Sequence, residues 1–312
     1  MEFVLGACAS IGAGVFSNPL DVLKTKAQLQ GELRARGQYS VHYKNMFHAA
    51  YMISREEGLL ALQKGLSPAL FHQVALNGTR LGLFQLAEDH GLTRNEDGTL
   101  SAPKTMLVSS AAGSVGAFLG SPFFLVKTQI QSQAPVAISK GANVVLGVQH
   151  DHRGMISAFS SILEKRGFLG LFDGASGAVL RVAIGSCAQL STFSFCKQFI
   201  DDRQFFKEDA VWTKAFASSM LVGVMTALAM TPFDTVSTRL YNQSRDASGR
   251  GLMYSGITDC FAKTLRTEGV RGLYKGLVPV YARIAPHSML TLMFWEKLKY
   301  LYHNQQYLQS TP

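Results

Sequence analysis

The chain has 312 residues, 47% hydrophobic and only 16% charged, against roughly 25% charged in an ordinary soluble domain. Its net charge of +9 suits anionic lipid, nucleic acid or a small anion, but no Lys/Arg block interleaved with aromatics is present, which argues against nucleic acid. Four scattered cysteines, Cys8, Cys187, Cys196 and Cys260, form neither a CxxC pair nor a ligand-like group, so neither a disulfide framework nor a metal site is indicated.

The first residues, Met-Glu-Phe-Val, lack the basic region of a signal peptide and the Arg/Ser-rich pattern of a transit peptide, so any targeting signal is expected to be internal. An uncharged apolar run then leads into Pro19-Leu20-Asp21-Val22-Leu23-Lys24. The same pattern returns at Pro122-Phe123-Phe124-Leu125-Val126-Lys127 and at Pro232-Phe233-Asp234-Thr235-Val236-Ser237, with the prolines 103 and 110 residues apart. Self-similarity at such a period means one structural unit used three times, with units expected at 1–95, 96–205 and 206–312 inside a single transmembrane domain.

Six stretches of about 20 residues have the length to cross a bilayer, near Phe3–Leu23, Leu66–Ala87, Thr105–Val126, Ala175–Cys196, Ala215–Val236 and Leu277–Trp295. Gly, Ala and Ser often stand where Leu would be, as at Gly6/Ser10/Gly14, Gly78/Gly82 and Gly113/Gly116/Gly120, which suits helices packed closely in a membrane. The competing reading is a soluble α-protein with buried helices; the scarcity of charge ahead of each proline argues against it. Connections alternate between short (89–104, 198–214) and long (29–65, 132–174, 241–276). The long ones carry helical segments near 44–56, 153–165 and 257–268. Fifteen Lys and Arg fall in the long connections and five in the short ones, which places the long loops together on one side and both termini on the other. Residues 132–151 read as a flexible insertion.

Each proline motif is followed by a second one, Glu57-Gly58 to Lys64-Gly65, Arg166-Gly167 to Asp173-Gly174 and Glu268-Gly269 to Lys275-Gly276. Px[D/E]xx[K/R]xxxQ followed by [D/E]Gxxxx[aromatic][K/R]G, three times over nearly the whole chain, resembles the signature of the mitochondrial carrier family (solute carrier family 25). Pro-Phe-Phe-Leu-Val-Lys in the second copy, with Arg239-Leu-Tyr-Asn-Gln243 in the third, is similar to the oxaloacetate-carrier branch and its animal orphan relatives. The resemblance implies an all-α membrane protein of six transmembrane helices, with pseudo-threefold symmetry and short matrix helices. It also implies the mitochondrial inner membrane, termini toward the intermembrane space, a monomer and no enzymatic activity. Cardiolipin would be a structural lipid at the helix N-termini; no other cofactor and no metal are expected. Asp173 and Arg166 depart from the pattern, which puts the lipid site of the second copy in question.

Within each motif the acid position precedes the base position by about one helical turn, so both can face the axis. The family's rule pairs the acid of one proline helix with the base of the next, giving a matrix gate of Asp21–Lys127 and Asp234–Lys24. The third pair would be Phe124 with Ser237, where both charges are absent together. Removing one partner of a buried pair strands a charge at a cost of about 3–5 kcal/mol, whereas replacing both can be near neutral, so a joint loss agrees with the rule. Gln28 and Gln131 stand where the family places braces beneath these pairs, and Tyr241 replaces the third brace. For the intermembrane-side gate, counting from the closing glycines gives Gln85/Glu88, Ser194/Lys197 and Glu296/Lys299. Gln85 would bond Lys197 there, while Glu296 would face Glu88.

Each even-numbered apolar run carries one arginine, Arg80, Arg181 and Arg283, and an intramembrane charge marks a functional site by default. Counting seven residues past the closing glycines places His72, Arg181 and Arg283 at one level. Four further come Leu76, Gly185 and His287, then Arg80, Gln189 and Thr291, all on roughly one helix face. Three arginines and two histidines with no acid at these levels describe a site for a small anion, which guanidinium binds bidentately. The alternative is that an arginine packs against a backbone carbonyl at a kink, and that either histidine is simply satisfied within a polar helix face. The reading that results is an antiporter of small dianions working by alternating access, for C4 dicarboxylates such as oxaloacetate or malate and for sulfur oxoanions (sulfate, thiosulfate). A proton-coupled or uncoupling-type anion carrier, and a non-transporting scaffold on the same fold, stay open as alternatives.

Overall fold

The structure, a computed structural model, describes residues 2–34, 41, 43–95, 101–134, 147–203, 211–246 and 249–283, together with 287, 290–291, 293–294 and 297. Its helices are α1 (Glu2–Leu29), α2 (Met46–Glu56), α3 (Leu66–Asp89), α4 (Ala102–Ser132), α5 (Met155–Arg166), α6 (Ala175–Arg203), α7 (Val211–Asn242) and α8 (Ile257–Glu268). A final helix, α9, is described over 277–283 and at isolated positions beyond. The order is the same three times: a long proline-containing helix, a short helix, a tight turn and a second long helix. The short helices fall within two residues of their expected starts.

The proline helices run further than their apolar stretches suggest. α1, α4 and α7 each continue ten residues beyond Pro19, Pro122 and Pro232. The polar residues after each proline are not the start of a loop, because they are buried: Asp21, Lys24, Thr25 and Gln28 on α1, Lys127, Thr128 and Gln131 on α4, and Asp234, Thr235 and Thr238 on α7. Large apolar side chains point outward instead, among them Phe71, Val74, Leu81 and Leu86 on α3, and Leu107, Val115, Phe118 and Leu119 on α4. A polar interior with an apolar exterior is the arrangement a lipid solvent favours. Among the described residues, Pro103–Ser132, Phe168–Ala188 and Met220–Asn242 are long and apolar enough to cross a membrane by composition alone.

Small residues set the helix spacing where α4 meets α3. A Cβ on Gly116 would lie 2.6 Å from the Leu76 carbonyl oxygen, and one on Gly120 would lie 2.9 Å from Nδ1 of His72. Among the described residues, nothing lies within contact of a Cβ on Gly82, so no close approach is seen there. The turn into each even helix uses a glycine with positive φ, Gly65 at +70°, Gly174 at +87° and Gly276 at +83°. Only glycine tolerates that backbone readily. It also admits a neighbour closely, since a Cβ would lie 3.0 Å from Gln131 at Gly65, 3.0 Å from Tyr241 at Gly174 and 2.9 Å from Gln28 at Gly276. Each brace position therefore packs on the closing glycine of the repeat before it in cyclic order.

Candidate substrate site and gate

At the end of the bundle that carries the long loops, Lys127 Nζ lies 2.9 Å from Asp21 Oδ2, and Lys24 Nζ lies 2.6 Å from Asp234 Oδ2. The acid of one proline helix thus meets the base of the next at two of three corners, and that end is closed. The two carboxylates have a second use. Asp21 Oδ1 lies 3.1 Å from Nε of Arg283, and Asp234 Oδ1 lies 3.8 Å from Nε of Arg181. Each acid therefore stands between a gate lysine and an arginine from an even helix, which counting residues along each repeat did not anticipate. Neither Nε completes a hydrogen bond among the described residues.

The third corner is aromatic. Phe124 meets Tyr241 edge-on with ring centroids 4.9 Å apart, and the Tyr241 hydroxyl lies 2.8 Å from Ser121 Oγ. The Phe124 ring also lies 5.1 Å from the Arg181 guanidinium carbon and 5.6 Å from Lys127 Nζ, cation–π range for both. Ser237 is fully buried and its hydroxyl has no partner among the described residues.

The two glutamines differ. Gln28 donates to Asp234 Oδ2 at 2.8 Å and accepts from Thr238 at 2.8 Å, so it touches an ion pair directly. Gln131 accepts from Thr25 at 3.0 Å and donates toward Asn18 Oδ1 and the Lys64 carbonyl, both at 3.3 Å. The expected brace under Asp21–Lys127 is thus a clamp between α1, α4 and the turn before α3, because the amide reaches the neighbouring backbone instead of the carboxylate.

Of the other expected site residues, His287 Nδ1 lies 3.1 Å from Ser17 Oγ across α9 and α1. Arg80 donates from Nη2 to Ser109 Oγ at 3.3 Å and is part-buried. His72 is buried with Nδ1 3.0 Å from the Gly120 carbonyl and its ring 5.0 Å from Phe124; in this closed arrangement it belongs to the α3–α4 contact. At the opposite end, exposed Gln85 donates to Asp89 Oδ1 at 2.9 Å, one turn on. Gln189, Lys197, Glu296 and Lys299 lie outside the described side chains, so the contacts expected of Gln85 with Lys197 and of Glu88 with Glu296 do too.

A second ionic layer lies beyond the gate, and sequence reasoning missed half of it. Glu57 joins Lys26 and Lys64, each at 2.5 Å. Glu268 joins Arg239 at 2.6 Å and Lys275 at 2.6 Å. Lys26 and Arg239 both stand two residues after the gate base position, a shared register that could have found them. In the second repeat Gln129 occupies that position and the polarity is reversed: Arg166 lies 3.3 Å from Asp173, which also meets Arg245 at 3.3 Å. Burial pushes the Asp173 carboxyl above the usual carboxylate range, with both arginines opposing. Asp173, Arg245, Ser176, Ser255 and Gly256 line a cavity of about 300 Å³ between the starts of α6 and α8. This is the place where the resemblance puts a lipid phosphate.

A threefold helical bundle with charges inside and an ionic gate at one end is the architecture of a membrane carrier. A protein-family model described as mitochondrial carrier protein matches residues 1–94, 98–204 and 208–306, and the chain belongs to that family, whose members are transporters and not enzymes. It is 46% identical over 303 residues to solute carrier family 25 member 35 of Mus musculus, covering 97% of this chain and 99% of the relative. It is 37% identical over 302 residues to the mitochondrial oxaloacetate transport protein of Schizosaccharomyces pombe, covering 96% of this chain and 90% of the relative. Against the mitochondrial citrate transporter E of Aspergillus niger it is 35% identical over 297 residues, covering 95% of this chain and 91% of the relative. The protein is therefore a mitochondrial membrane carrier.

Proposed function

We propose that this carrier is an inner-membrane antiporter of small dianions, C4 dicarboxylates such as oxaloacetate and malate first and sulfate or thiosulfate next, with the closed end facing the matrix and both termini facing the intermembrane space. The single observation that carries the reading is the charge at the floor of the bundle. Among the described residues, Lys24 and Arg181 share Asp234, and Lys127 and Arg283 share Asp21, which leaves +2 across two ionic triads. A dianion balances that charge, and it offers acceptors to two guanidinium Nε groups that lack hydrogen-bond partners among the described residues. The names of two relatives, an oxaloacetate and a citrate transporter, agree with an anion of this class.

The gate chemistry follows from the shared carboxylates. An anion held between Arg181 and Arg283 draws the guanidiniums away from Asp234 Oδ1 and Asp21 Oδ1. Each acid then rests on its lysine alone, so anion binding favours a state in which the pairs have parted; only such differential affinity shifts the equilibrium. Arg80 and His287 complete the cavity wall in this reading, while His72 holds α3 against α4. The carrier works as a monomer, and cardiolipin occupies the helix starts of the first and third repeats. In the second repeat Asp173 takes the place of a base, so its arginines serve the protein and not a phosphate.

Counter-exchange in liposomes, with dicarboxylates, keto acids, sulfate, thiosulfate and phosphate inside and out, tests the proposal. Exchange restricted to dianions and dependent on an anion on both sides is the expected outcome. Conductance without counter-substrate points to an uncoupling-type carrier, and absence of any exchange to a scaffold; either overturns the proposal.

A further inference from the structure

Beyond the second ionic layer, chain from all three repeats converges on one buried carboxyl, Glu32. The segment after α1 crosses to the third repeat: Lys275 Nζ donates to the Gln30 carbonyl at 2.8 Å, and the Leu33 amide donates to Glu268 Oε1 at 2.9 Å. The second repeat closes from the other side, where the Asn242 amide donates to the Val148 carbonyl at 3.2 Å and His150 Nε2 lies 2.8 Å from the Asn242 carbonyl. A Cβ on Gly147 would touch Asn242 at 2.7 Å, Leu29 at 3.1 Å and Glu32 Oε2 at 3.4 Å. These three strands of chain form a plug under the gate, and the long-loop end cannot open without parting them.

Glu32 is 3% exposed at the centre of this plug. The Tyr254 hydroxyl donates to Oε1 at 3.0 Å, while Oε2 has no hydrogen-bond partner among the described residues. Among the described residues, the charged and titratable groups that act on it are Arg239 from α7, Glu268 and Cys260 from α8, Tyr254 from the loop before α8, and Lys275 from the turn into α9. Arg239 is committed elsewhere, to both oxygens of Glu268, to Thr264 and to the Gln28 carbonyl. Burial pushes the Glu32 carboxyl up to about 7, with Glu268 adding to the rise and Arg239, the Tyr254 hydroxyl and Lys275 opposing it.

We propose that Glu32 is a proton-binding site of the closed carrier, protonated while the plug is packed and ionised once the plug parts and water reaches it. The proton leaves to, and returns from, the solvent on the long-loop side. Exchange is therefore gated by pH on that side and is not driven by proton transfer across the membrane. A hydrated glutamate returns toward its ordinary value near 4.3. The closed state accordingly gains from Glu32 at acidic pH, and that gain falls as pH rises toward the buried carboxyl's value and is gone above it. Between about pH 6 and pH 8 the balance between plugged and open forms shifts by about tenfold toward open.

The inference rests on the gate reading above, and its test separates the two. Malate counter-exchange is measured at symmetric pH from about 6 to 8 for wild type, Glu32→Gln and Tyr254→Phe. Glutamine copies the neutral acid, so E32Q is expected to keep the slow acidic rate at every pH, and the wild-type to E32Q ratio to rise by about tenfold across the range. Y254F removes the one donor to the carboxylate and is expected to move the wild-type midpoint to higher pH. A ratio that stays constant overturns the proposal even where exchange is robust. The melting midpoints of the same purified carriers give a readout that needs no transport. The gap by which E32Q exceeds wild type is expected to widen as pH rises, and a constant gap overturns the proposal whether or not any anion is exchanged. Should E32Q fail to fold, the Y254F shift in exchange or melting decides in the same way.

Discussion

Two corners of the gate are ionic and the third is aromatic, yet all three hold the proline helices together. At Asp21–Lys127 and Asp234–Lys24 the contact is a short ion pair shared with an arginine. At Phe124–Tyr241 it is ring against ring, with the Tyr241 hydroxyl on Ser121. The difference shows that charge is removed here in sets. Phe124 stands without an acid where Ser237 stands without a base, and Gln129 stands without a base where Arg166 stands in place of an acid. Stranding one partner of a buried pair costs several kcal/mol, while exchanging the whole set need not. The aromatic corner also cannot be drawn open by an anion, since it has no carboxylate to release, so the ionic corners are the responsive ones.

The sharpest way to break this comparison is to strip one ionic corner. Asp21→Asn leaves Lys127 and Arg283 without their carboxylate, and a loss of about 3–5 kcal/mol of closed-state stability is expected, read as a lowered melting midpoint and impaired exchange. The swap Asp21→Lys with Lys127→Asp should recover only part of it, because the new lysine faces Arg283; full recovery would show that Arg283 does not share Asp21. Emptying the aromatic corner tests the other side. Phe124→Ala is expected to cost about 3–5 kcal/mol through the cavity it leaves, but to leave the substrate dependence of exchange in place.

Next in size are the arginines that join the cavity to the ionic corners. Arg181→Ala and Arg283→Ala each remove a charge-assisted contact of about 1.5–3 kcal/mol, so exchange should fall by about 10- to 100-fold in a folded carrier; wild-type rates in either would sink the site. The reversed polarity of the second repeat is a smaller effect. Asp173→Lys would face Arg166 and Arg245 and should lower the melting midpoint, with Arg166→Glu added to it restoring most of the loss. The smallest expected change is Tyr241→Phe, about 1 kcal/mol for the hydrogen bond to Ser121, with exchange intact. An effect as large as that of Asp21→Asn would place Tyr241 among the responsive groups.

The architecture was legible because it is written three times. Pro19, Pro122 and Pro232, with Gly65, Gly174 and Gly276, fix where each repeat turns, and these are backbone constraints that a sequence states directly. Register put Asp21 and Lys24 on one face, since a helical turn fixes which side chains share it, while the pairing of Asp21 with Lys127 and of Asp234 with Lys24 came from the rule that the family resemblance implies. Tertiary structure alone decided what each group touches beyond that face. It assigned the second oxygen of Asp21 and Asp234 to Arg283 and Arg181, and turned Gln131 onto the Lys64 backbone and Asn18 of the first repeat. It also buried Glu32, an ordinary loop glutamate in the sequence, where chain from all three repeats meets. Register along one helix is a local property, whereas burial and the partner of a second oxygen depend on how three separate segments close on one another.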